Sequence, residues 1–133
     1  MNFTEILYIK DRVFGIDADG EWCTRLTDTI FAYPNESKNG MYYMICLEKN
    51  VSEIKDKLKS CREVNKFPFF YIIRSGLDSS SEYWVDKSIE WIKELEFQLD
   101  EKEAFKTKLE DIMEDKRFQQ NIRHKAKKVF HCL

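Results

Sequence analysis

The chain has 133 residues, 43% hydrophobic and 35% charged, with a formal net charge of -2 at pH 7. That is globular material for one domain with one core, and the charge is too small to imply nucleic acid or a membrane as a partner. The longest mainly apolar runs, Met41 to Leu47 and Phe67 to Ile73, fall far short of the ~20 residues that cross a bilayer. Glu5 and Lys10 interrupt the N-terminal stretch before a signal-peptide core can form, so a cytoplasmic protein with no membrane partner is expected.

Four glycines and two prolines leave little punctuation, and valine is scarce beside leucine, isoleucine, lysine and glutamate, which favours helices. Phe3, Ile6, Leu7, Lys10, Val13 and Phe14 recur at steps of three and four, and Gly15 stands where a helix would stop. Next comes Gly15-Ile16-Asp17-Ala18-Asp19-Gly20, which resembles a calcium loop. The match fails, because aligning Gly20 on the invariant glycine puts Gly15 at the first ligand position and Leu26 where a bidentate glutamate belongs. The segment is read as a turn that caps a second helix, marked by Trp22, Leu26, Ile30 and Phe31 before Pro34. Val51, Ile54, Leu58 and Cys61 mark a third.

Two segments admit either helix or strand, since Met41 to Leu47 and Phe67 to Ile73 are both aromatic and β-branched. In the second, Pro68 suits a first helical turn, and Ser75-Gly76 followed by Leu77 suits a helix C-cap. Ser79 with Glu82 then forms a capping box ahead of Trp84, Ser88, Trp91, Ile92, Leu95 and Leu99 on one helical face. These two helices make an αα-hairpin. Phe105, Leu109, Ile112 and Met113 predict a shorter helix, and Phe118, Ile122, Ala126, Val129 and Phe130 a last one. No repeat of fixed period appears. The expected fold is all-α, a single irregular multi-helix domain over 1–133 built from αα-hairpins. The alternative is α+β with short strands near 41–47 and 67–73.

Chemistry-bearing residues are dispersed. Cys23, Cys46, Cys61 and Cys132 are spaced 23, 15 and 71 apart, so none forms a C-x-x-C pair, and such cysteines in a reducing compartment are commonly small buried hydrophobes. His124 and His131 lie seven apart with Cys132 beside the second, but no standard zinc spacing is completed. Ser79, Ser80 and Ser81 lack the glycines of a nucleophile elbow, and Gly15, Gly20, Gly40 and Gly76 are too dispersed for a phosphate loop. No catalytic residue, metal ligand or cofactor is therefore assigned, and the chain is read as a non-enzyme. Trp84 and Trp91 fall on the apolar stripe of their helix and are read as core rather than partner anchors.

Charge is distributed unevenly. Glu90 to Asp115 holds ten acidic and four basic residues, whereas Lys116 to Leu133 holds six basic and none acidic. The basic helix could neutralise phosphates, but no aromatic stacking residues are interleaved on its polar side, and the acidic segment before it offers an internal partner.

Two stretches, Ile72-Ile73-Arg74-Ser75-Gly76-Leu77-Asp78-Ser79-Ser80-Ser81-Glu82-Tyr83-Trp84 with Ser88-Ile89-Glu90-Trp91-Ile92, and Gln120-Asn121-Ile122-Arg123-His124-Lys125-Ala126, resemble small helical bacterial immunity proteins of polymorphic and contact-dependent growth-inhibition toxin systems. The resemblance implies a protein that binds one cognate toxin domain, such as a nuclease, and neutralises it. On that reading Glu90, Glu94, Glu101, Asp111 and Glu114 carry the negative field that would meet a basic partner. The net charge of -2 argues against a purely electrostatic clamp. Other readings are a helical adaptor or subunit of a cytosolic complex, or a weak nucleic-acid binder through the basic C-terminal helix.

Overall fold

The computed structural model describes residues 2–62 and 66–133. Its first quarter is a four-stranded antiparallel meander in the order β1-β2-β3-β4, with β1 at Thr4–Ile9, β2 at Arg12–Ile16, β3 at Trp22–Arg25 and β4 at Phe31–Ala32. The all-α expectation is thereby overturned, and both N-terminal helices are replaced by strands. Leu7 and Ile9 are buried while Tyr8 and Lys10 are exposed, an alternation of period two. The apparent helical spacing from Phe3 to Phe14 arises because it runs across a bulge and a turn. Ile6 is the extra residue between the Glu5↔Gly15 and Leu7↔Phe14 pairs, and Lys10-Asp11 closes the hairpin between Ile9 and Arg12. Trp22 and Phe31 likewise belong to different strands. Leu26 and Ile30 join across the intervening loop, where the Leu26 N–H donates to the Ile30 carbonyl at 2.8 Å and the Thr27 hydroxyl accepts the Ile30 N–H at 3.1 Å.

The helices that follow are α1 (Gly40–Tyr43), α2 (Val51–Lys57), α3 (Phe69–Asp78), α4 (Glu82–Lys93), α5 (Leu99–Glu114) and α6 (Gln120–Cys132). The strands of the α+β alternative were expected at the wrong places. Residues 41–47 form α1 and a 3₁₀ turn over Met44–Glu48, and residues 67–73 lead into α3. Buried Tyr43, Cys46 and Leu47 keep helical spacing on the core side. Asn50 and Glu53 form a capping box at the start of α2, whose Val51 and Ile54, with Leu58 just beyond, are buried.

Three expected helix ends move. Gly76 does not terminate α3, which continues to Asp78, because Gly76 is where α3 meets α4. A Cβ there would collide with the buried Ser88 hydroxyl. Ser81, not Ser79, caps α4 by accepting the Trp84 N–H at 3.4 Å, while the Ser79 hydroxyl donates to the Gly76 carbonyl at 2.7 Å. Leu99 is the first residue of α5 and 75% exposed, so it does not continue the α4 stripe, and α5, with 16 residues, is longer than the short helix expected there.

One hydrophobic cluster runs from the sheet through all the longer helices, from Leu7, Phe14 and Trp22 to Leu109 and Val129. Successive residues Val13, Phe14 and Gly15, and Trp22, Cys23 and Thr24, are all buried, so both faces of the central strands are covered. The Trp22 ring meets Phe67 edge-on at 4.9 Å, and Phe67 meets Phe69, which meets Trp91. The Tyr43 hydroxyl donates to the Ala32 carbonyl at 2.6 Å and ties α1 to β4. Among the described residues no helix is long and apolar enough to cross a membrane.

Candidate functional site

Helix α5 buries Phe105, Leu109 and Ile112, spaced four and three apart. Directed away from them, Glu103, Glu110, Asp111 and Glu114 are exposed. Glu103 meets Lys106 at 3.7 Å, a pair on the surface that contributes little. Glu110, Asp111 and Glu114 form no ion pair among the described residues. At the end of the helix Asp115 turns back to the next segment. It accepts hydrogen bonds from the Arg117 side chain and backbone N–H, which hold its carboxyl at about 2.

Helix α6 buries Ile122, Ala126 and Val129 and exposes His124, Lys127, Lys128 and His131. Its basic residues meet the acidic segment 90–115 at Glu90, on α4, and not on α5 among the described residues. Lys125 reaches α4, 2.8 Å from Asp86 and 4.0 Å from Glu90, and the Asp86 hydrogen bond raises its pKa. Arg123 donates to the Phe118 carbonyl at 3.1 Å. No ion pair joins α5 to α6 among the described residues, so an acidic outer face and a basic one remain uncompensated on adjacent helices.

The five acidic residues named from sequence separate into three places. Glu90 is engaged by Lys93 at 3.1 Å and by Lys125. Glu94 caps the end of α4, and together they line a groove of about 380 Å³ with Lys49, Ser52, Lys87 and Trp91. Glu101 has a structural task, because its carboxylate accepts the Gln98 N–H at 2.9 Å in the capping box that starts α5. Only Asp111 and Glu114 lie on the free acidic face. Glu110 joins them and went unremarked in the sequence, although its place opposite Leu109 and Ile112 follows from the 3.6-residue period.

The other residues singled out for chemistry lie apart from the acidic face. Cys23 and Cys46 are buried, and burial pushes the Cys23 thiol up to about 11 and raises that of Cys46, which disfavours a thiolate at neutral pH. Cys61 is half-buried and Cys132 exposed, so the expectation of buried cysteines holds for only two of the four. His124 and His131 both face outward on α6. In the segment resembling a calcium loop, the Asp17 carboxylate is already occupied. It accepts the Asp19 and Glu21 N–H groups at 2.9 and 3.0 Å and the Tyr33 hydroxyl at 2.6 Å. The turn was expected, but it leads into β3 rather than a helix. Among the described residues no group of three or more His, Cys, Asp or Glu is placed to hold a metal ion. Trp91 is buried with its indole N–H donating to the Lys49 carbonyl at 2.9 Å, and Trp84 is half-buried. Both therefore serve packing, as their spacing suggests.

No family model, curated protein or solved structure matches the chain.

Proposed function

We propose that this chain is an immunity protein that binds one cognate toxin domain through the outer face of α5 and neutralises it without catalysis. The observation that supports this reading is the uncompensated run of Glu110, Asp111 and Glu114, exposed on a helix whose other side is fixed in the core. Charges held on a rigid element and left without internal partners steer and orient a complementary surface. The partner face they fit is basic, as on a protein that binds nucleic acid, so a nuclease toxin is the favoured target. The immunity reading itself comes from the sequence resemblance of residues 72–84, 88–92 and 120–126.

The basic face of α6 supports a second reading, weak nucleic-acid binding through Lys127, Lys128 and the neighbouring histidines. The two differ in what the native cell supplies. Tagged protein recovered from its own cell lysate at moderate salt should carry one protein at near-equal stoichiometry, and that protein should be toxic when expressed without this chain. Recovery of RNA alone, lost with rising salt, would replace the first reading by the second.

A further inference from the structure

A separate groove of about 520 Å³ lies where the end of α4, the first turn of α5 and the last turn of α6 converge. Its floor is Ile92 and Val129, both buried, and its walls are the half-buried Leu95, Phe97 and Leu133. The Phe97 ring is fixed edge-on against Phe105 at 4.8 Å, so that wall is preformed. Around this apolar trough stand Lys93, Lys102 and Lys128, with Glu96 the one acidic side chain in its lining. Lys93 is engaged by Glu90, whereas Lys102 and Lys128 form no ion pair among the described residues. Lys102 also lies near the N-terminal end of α5, where the helix dipole disfavours a cation.

We infer that this groove is a docking site for an acidic amphipathic helix of a partner protein, with its apolar side chains in the trough and its carboxylates on Lys102 and Lys128. Charge favours an acidic occupant, since the lining carries three ammonium groups to one acidic side chain and two of the three are unpaired among the described residues. Backbone chemistry favours a helix, because the groove is walled by helix ends and a loop. An extended peptide would find no strand edge there to take its N–H and C=O groups, whereas a helix satisfies its own. The groove is distinct from the acidic outer face of α5 and takes a ligand of opposite charge, so it does not depend on the toxin reading.

The test uses a fluorescein-labelled 18-residue peptide with leucines at helical i, i+3, i+4 and i+7 spacing and glutamates beside them, and a twin with lysines in place of glutamates. Fluorescence anisotropy with the whole chain should show saturable binding of the glutamate peptide, weakened by salt and about tenfold tighter than the twin, as two surface ion pairs allow. Lys102→Glu with Lys128→Glu, checked for an unchanged far-UV circular dichroism spectrum, should reverse that preference. Saturating peptide should also slow iodoacetamide alkylation of Cys132, which lines the groove, without slowing that of Cys61. Equal binding of the two peptides, no saturable binding, or a preference unmoved by the double reversal would overturn the assignment. Displacement of the peptide by micromolar dodecanoate would also overturn it, in favour of a lipid.

Discussion

The meander of residues 4–32 and the helical region that follows are joined by one core, yet they tolerate close packing in different ways. In the sheet, Gly15 is paired with Glu5, and a Cβ there would run into the Thr4 carbonyl oxygen, an atom of the neighbouring backbone. In the helices, Gly76 lets α3 approach α4, and a Cβ there would meet the Ser88 hydroxyl first, the tip of a side chain, with the Trp84 carbonyl oxygen farther off at 3.1 Å. Backbone of a paired strand cannot rotate away, whereas a side chain can be trimmed. The sheet therefore depends on local covalent shape, and the helical layer on complementary side chains that can be exchanged.

The largest effect is expected from Gly15→Ala, about 3 kcal/mol of stability or a failure to fold, because the β1–β2 pairing must open to accept the methyl group. Chemical denaturation should show it, and no side-chain substitution nearby should restore it. Gly76→Ala should cost about 2 kcal/mol. Adding Ser88→Gly should recover part of that loss, although Leu47 Cδ1 would still stand 2.8 Å and the Trp84 carbonyl oxygen 3.1 Å from the new methyl. A double-mutant cycle by thermal melting measures the coupling. If Gly15→Ala were mild and Gly76→Ala beyond rescue, the contrast between the two regions would be reversed.

A smaller effect is expected at the seam. Tyr43→Phe removes the hydroxyl that donates to the Ala32 carbonyl, at a cost of about 1 kcal/mol. Amide exchange should then speed up in β4 more than in α4. The smallest change should be stabilising. Lys10 has φ 55 in the two-residue turn between β1 and β2, a conformation that favours glycine, and Lys10→Gly should gain about 0.5–1 kcal/mol by urea titration. A loss on that substitution would mean that Lys10 makes a contact outweighing its backbone strain.

The same contrast explains what could be read from the sequence. α2, α4 and α6 were legible because each carries a stripe with one period, such as Ile122, Ala126 and Val129, over a segment long enough to express it. The strands were not, because β1 has a bulge at Ile6, and a run of six apparent helical positions spans two strands and their turn. Gly76 looked like a helix stop because glycine serves both caps and close contacts, and only the position of Ser88 distinguishes them. The candidate site was half legible. Charge counting located the acidic segment, but it could not foresee that Glu101 caps its own helix or that Lys125 reaches back to α4 and occupies Glu90. Those roles depend on which helices become neighbours.

The free acidic face of α5 is the surface on which toxin binding would depend. Glu110→Lys, Asp111→Lys and Glu114→Lys together touch no buried contact and should leave folding intact, as far-UV circular dichroism would verify. In a pull-down from native lysate, the unaltered chain should bring down one protein at near-equal stoichiometry and the triple variant should lose it. Equal recovery of that protein by the folded triple variant would contradict the assignment of the α5 face as the binding surface.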